Sequence, residues 1–139
     1  MQKDILIFLK SIEQTRRKAD AIGDQLKKLS ELHAVNYENQ KGNGGASFSS
    51  VEQLAIKREK IIKRQLDEIE RWINLIEKLN IMLEKIDPLA ACIISFKYVC
   101  CWTWAQIGKK LNYSARHVYR LHIKGLKDLQ EIYNEIQDR

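Results

Sequence analysis

Arg116 and Arg120 stand four residues apart, with Lys124 four further on and Lys127 just beyond. In a helix, side chains four apart lie on one face. A guanidinium is a planar fork of donors, matched to the O6 and N7 edge of guanine in a DNA major groove. Arg116 and Arg120 are therefore candidates for base contacts. Ser114 precedes them, and its hydroxyl, with the backbone N–H groups of a helix start, suits a phosphate. Ala115, His117 and Tyr119 take outward positions in the same turns, where His117 and Tyr119 can reach a phosphate or a base. Lys109, Lys110, Lys124 and Lys127 are placed to touch the phosphate backbone.

Charge supports that chemistry. From Pro88 to Lys127 the chain has seven Lys or Arg residues and no Asp or Glu. Elsewhere the signs are mixed. A surface that meets phosphates has a physical reason to exclude acids. The formal charge of +6 and the pI of about 9.2 permit a polyanionic partner without requiring one.

These side chains need two short helices to position them. Thr103-Trp104-Ala105-Gln106 reads as a capping box that opens a helix ending at Leu111. Asn112 suits a left-handed helix end, and Ser114 caps a last helix that runs to Gln137. Ala105 and Gly108 are small enough for the two helices to cross closely. Ile107, Leu111, Tyr113, Val118 and Leu121 supply an apolar seam. This is the pattern of a helix-turn-helix. Asp87-Pro88 opens a preceding helix predicted to reach about Val99, with "CCWT" as the connection. Helical corners of this kind also occur in proteins that bind no DNA.

Upstream lie two long helical patterns. The first runs from about Lys3 to His33, with Ile5, Leu9, Ile12, Ala19, Ile22, Leu26 and Leu29 on one stripe. Gly23 weakens it locally. The second runs from about Val51 to Ile86. Its ladder is Val51, Ala55, Ile62, Ile69, Trp72, Ile76, Leu79, Leu83 and Ile86, with Arg58 and Gln65 at two positions, in steps of four and three as in coiled coils. Such a helix is roughly 50 Å long. Between them, Asn36 to Ser50 contains "GNGG" and reads as a loop, and Ser50-Val51-Glu52-Gln53 reads as a capping box. The expected fold is all-α: a long antiparallel helical hairpin over 1–86, looped at about 36–50, then a helix-turn-helix domain over 87–139. The hairpin is the expected oligomerisation or partner arm, and doublets such as Ile61-Ile62 and Trp72-Ile73 leave apolar surface for a second chain.

Other classes find little support. No apolar run reaches membrane-spanning length, and the N-terminus lacks a signal-peptide pattern, so a cytoplasmic protein is expected. Cys92, Cys100 and Cys101 form neither a disulfide framework nor a zinc spacing, and at least one is expected in a helical core. "GNGG" has no following Lys-Ser or Lys-Thr, so it is not a phosphate loop. His33 and His122 read as surface or interface residues. No enzyme, cofactor or metal is expected.

The stretch from Trp104 to Leu129 resembles the helix-turn-helix of sigma-factor region four, with "IG" in the first helix, a Ser-capped second helix, Val118, Leu121 and Leu126. With "KYVCCWT" before it and a long helical part upstream, it looks like the phage transcriptional regulators of the ArpU and RinA type. Tyr113-Ser114, Arg116, Val118, Arg120-Leu121-His122 and Leu126 carry that likeness; Gly125 departs from it where Ala is common. The resemblance implies a phage or prophage regulator of late transcription in a bacterial host. Double-stranded DNA is the expected partner, with a homodimer expected through the long helices and host RNA polymerase as a further candidate partner. A small terminase-like packaging subunit and a helical scaffold without DNA binding are the alternatives.

Overall fold

The computed structural model describes residues 3–40 and 48–138, with side chains for 3–32 and 50–138. Five α-helices follow in order: α1 Lys3–Gln40, α2 Phe48–Leu83, α3 Pro88–Ile94, α4 Trp104–Leu111 and α5 Ala115–Gln137. A π-helical turn, Ser95–Val99, extends α3. There is no strand among the described residues, so the fold is all-α as expected. The "GNGG" sequence and the side chain of His33 lie outside the described residues.

Both long helices outrun their expected ends at the hairpin tip. Helix α1 continues through Asn36–Gln40, because that stretch contains no glycine or proline to stop it. Helix α2 begins at Phe48, so Ser50 lies inside the first turn and is not the expected cap. At its other end α2 stops at Leu83. There Lys85 N donates to Met82 O and Ile86 N to Leu83 O, shorter-span bonds that tighten the final turn before Asp87.

The chain divides into two compact units, Met1–Thr15 with Trp72–Arg139, and Arg16–Arg71. In the first, Ile5, Leu9 and Ile12 of α1 pack with Leu79, Met82 and Leu83 of α2, an antiparallel pairing. The same core takes in Ile94, Tyr98, Leu126 and Leu129. Gln130 of α5 is buried, and its Oε1 accepts from Ile5 N at 3.1 Å. The start of the hairpin and the helix-turn-helix segment thus share one core, and residue 87 is not a packing boundary. A sequence boundary drawn on composition could not anticipate this, because the stripe of α1 does not reveal its partner.

In the second unit, α1 and α2 are again antiparallel. A Cβ on Gly23 would lie 2.8 Å from Nε2 of Gln65, so the missing side chain of one helix leaves room for the amide of the other. The inward face of α2 here holds Leu54, Ile61 and Gln65, all half-buried. Of the expected ladder, Gln65 and Ile69 are half-buried, whereas Val51, Ala55, Arg58 and Ile62 are turned outward. Val51 and Ile62 are exposed, and with Ala55, Arg58 and Leu29 they line a shallow groove.

Candidate nucleic-acid interface

Asp87 caps α3 as expected: its carboxylate accepts from Ala90 N at 3.3 Å, and Pro88 takes the first helical position. The helical stretch reaches Val99 as predicted, but its last turn widens. Cys100 N donates to Ser95 O, five residues back, at 3.0 Å, and Trp102 N to Phe96 O at 3.0 Å. This π-turn was not legible in the sequence. It places Phe96 flat against Trp102, with ring centroids 4.6 Å apart. Cys101 then adopts φ 59°, which ends the helical path. Cys92 is exposed and Cys100 and Cys101 are half-buried, and none of the three is in a disulfide, so none takes the expected place in a helical core.

Helix α4 opens with the predicted capping box. Thr103 Oγ1 accepts from Gln106 N at 3.2 Å, and Gln106 Oε1 accepts from Thr103 N at 2.9 Å. The helix closes at Asn112, left-handed at φ 61°, with Tyr113 N bonded to Gly108 O at 2.8 Å. Ile107 and Val118 are fully buried and form a small core with Ile93; Leu111 and Leu121 pack at its edge. Two expectations about this seam need correction. Ala105 is exposed, so the close approach rests on Gly108, where a Cβ would lie 2.6 Å from Tyr113 O. Tyr113 is 41% exposed and meets His117 edge-on at 4.9 Å, because the turn points it away from the seam.

Ser114 caps α5, its hydroxyl accepting from His117 N at 3.1 Å. All ten sequence-derived candidates are exposed: Lys109, Lys110, Ser114, Ala115, Arg116, His117, Tyr119, Arg120, Lys124 and Lys127. At 3.6 residues per turn, Arg116, Arg120, Lys124 and Lys127 fall within about 80° of one another around α5. Val118, His122, Gly125, Leu126 and Leu129 are buried on the opposite side. Lys109 and Lys110 sit in the last turn of α4, where a shallow depression joins them to Trp102 and Gln106. Tyr119 flanks the basic face and rests edge-on against Trp104 at 5.3 Å.

His122 is the clearest departure from expectation. It is buried, with Nε2 2.7 Å from the Tyr98 hydroxyl and its ring 4.6 Å from that of Trp104. Its place on the inner side of α5, four residues after Val118, was the signal available in the sequence. Burial, and secondarily the charge of Lys97, lower its pKa from 6.5 to about 4. Burial likewise pushes Tyr98 up to about 12, aided by Glu13 and Tyr119. Lys97 lies over the Trp104 ring at 4.7 Å, a cation–π contact at the edge of the basic surface. Gly125 is also buried: a Cβ there would lie 3.0 Å from Ala90 Cβ, so α3 and α5 cross closely at this point.

No group of three or more metal-ligating side chains occurs among the described residues. No described helix is long and apolar enough to cross a membrane. No family model, curated protein or solved structure matches this chain.

Proposed function

We propose that the chain is a sequence-specific DNA-binding transcriptional regulator of phage or prophage late genes, with α5 entering the major groove at Ser114. One observation carries the reading: a Ser-capped helix, reached by the turn Asn112–Ser114, exposes Arg116, Arg120, Lys124 and Lys127 on a single face. The chain has 24 Lys and Arg against 18 Asp and Glu; seven of the basic residues and none of the acids fall in 88–127. That segment therefore carries +7, and the rest of the chain, with 17 basic and 18 acidic residues, carries −1. A DNA surface is the partner this distribution fits best. The likeness of Tyr113-Ser114, Arg116, Val118 and Arg120–His122 to ArpU- and RinA-type regulators supplies the phage context, and the host polymerase is the further partner it suggests.

In this reading Arg116 and Arg120 read base edges, and Lys109, Lys110, Lys124 and Lys127 hold phosphates. Two copies joined through the long helices would present two recognition helices and double the phosphate contacts. The test is binding of the full chain to random duplex DNA across a salt series, beside Arg116→Ala/Arg120→Ala. Steep loss with salt and weaker binding by the variant is the expected result. If neither protein binds at low salt, the reading fails. On a selected operator, Arg116→Ala should cost about 1–3 kcal/mol and relax one base position, whereas Lys124→Ala should lower the salt slope by about 1 at every sequence.

A further inference from the structure

The backbone between α3 and α4 departs from regular helix twice. Ser95–Val99 form the π-helical turn, and Cys101 takes a left-handed conformation at φ 59°. Widened turns of this kind recur at functional sites, and a non-glycine residue in the left-handed region carries a backbone cost that the rest of the fold must offset. The next side chain shows what the two irregularities accomplish. Trp102 N donates to Phe96 O, and the Trp102 ring lies on that of Phe96, only 2° from parallel. Phe96 covers one side of the ring, and Trp102 also borders the depression it shares with Gln106, Lys109 and Lys110.

The polar groups of this depression are donors. Gln106 Oε1 accepts from Thr103 N at 2.9 Å, so the amide NH2 is what Gln106 has to offer. Lys109 and Lys110 follow three and four residues on, on the same side of α4, and both are exposed. An aromatic ring backed by a second ring, beside an amide and two cations, fits a ligand that joins a planar group to an anion. Every nucleotide of a single strand supplies both, a base to stack and a phosphate for the lysines. A duplex keeps its base faces inside its own stack and cannot use the ring. A peptide supplies ring and acid together only in particular sequences.

We propose that this depression binds single-stranded DNA, with one base stacked on Trp102, Gln106 donating to an acceptor of that nucleotide, and Lys109 and Lys110 on the flanking phosphates. The site is built from α4 and the turn before it, not from Arg116 and Arg120 of α5. The choice of DNA over RNA rests on the duplex-binding reading. The stacking site does not, and its test uses no duplex, so the two readings fail separately.

The experiment titrates the full chain into a labelled oligothymidine strand, about ten nucleotides long, across a salt series. Fluorescence anisotropy reads binding, and circular dichroism checks helicity. The wild type should bind at low salt. Trp102→Ala should bind more weakly, on the order of tenfold, because the base loses its platform. Gln106→Glu keeps the capping box, where Glu serves as well, but sets a carboxylate in the depression; it should bind more weakly with unchanged helicity. Lys109→Ala/Lys110→Ala should flatten the logarithmic salt dependence by roughly 1.4, the share of two phosphates on a single strand. Arg116→Ala/Arg120→Ala should lose far less than Trp102→Ala. A wild type that does not bind at low salt overturns the proposal. So does a Gln106→Glu variant, or a fully helical Trp102→Ala variant, as tight as the wild type. If Arg116→Ala/Arg120→Ala loses as much as Trp102→Ala, the strand lies on α5 and the proposal fails. Poly-L-glutamate that competes as well as unlabelled oligothymidine, charge for charge, would mean an acidic protein partner, and oligouridine bound more tightly would mean RNA; either result overturns it.

Discussion

The Tyr98 hydroxyl lies 2.7 Å from Nε2 of His122, tying the π-helical turn to the middle of α5. Both side chains are buried, at 4% and 3% exposure. The imidazole is held neutral there, with its pKa near 4. An unfolded chain returns it to the ordinary value of 6.5 and binds a proton that the folded chain refuses. The contribution is therefore full above pH 6.5 and is lost as the pH falls from there towards 4. Between pH 7 and pH 5 the loss should be about 2 kcal/mol. Urea midpoints at the two pH values measure it. His122→Phe should show a much smaller difference; an equal difference in both proteins would falsify the assignment.

Gly108 and Gly125 both sit at helix crossings, but their neighbours differ in kind. A Cβ on Gly108 would strike Tyr113 O at 2.6 Å, a backbone atom fixed by the turn. A Cβ on Gly125 would meet Ala90 Cβ at 3.0 Å and Ile94 Cδ1 at 3.2 Å, overlaps that a shift of a few tenths of an ångström between α3 and α5 would relieve. Alanine gains about 1 kcal/mol of helix propensity at either site. Overpacking costs typically 1–3 kcal/mol. Gly108→Ala should therefore lower the melting temperature clearly, and Gly125→Ala only slightly. The reverse order would mean that the tight turn after α4 is more pliant than its hydrogen bonds suggest.

Ser114 serves as a cap through its bond to His117 N, and the proposed interface asks it to lie beside a phosphate. One substitution separates the roles. Ser114→Ala should cost about 1 kcal/mol of stability, and Ser114→Asp close to none, because Asp is as good a cap. On DNA the ranking inverts: the added carboxylate of Ser114→Asp repels phosphate and should abolish binding, while Ser114→Ala weakens it modestly. Thermal melts and a DNA titration on the same three proteins provide the comparison. Equal DNA affinity for Ser114→Asp and the wild type would remove α5's N-terminus from the interface.

Local rules were sufficient for much of this fold. Asp87 before Pro88, the Thr103–Gln106 box, the left-handed Asn112 and the Ser114 cap each depend on a few neighbouring residues, and each holds in the structure. Helix ends set by such caps are written in the sequence, because the groups that satisfy the orphan backbone bonds are only three or four residues away. The exposure of Arg116, Arg120, Lys124 and Lys127 follows the same logic, since one helical period places them opposite Val118 and Leu126.

What tertiary structure decided concerns partners distant in the chain. The outward place of Ile62 goes with Gln65 lying over Gly23, forty-two positions earlier. Burial of His122 depends on a π-turn that brings Tyr98 beneath α5, and no pattern in "SFKYVCC" announces that widened turn. Ile5 and Gln130 meet across nearly the full length of the chain and join the hairpin's base to α5. Periodicity shows that a stripe will be buried. Which stripe lies against which is set by complementary shape at the crossing points, and that is a property of the folded whole.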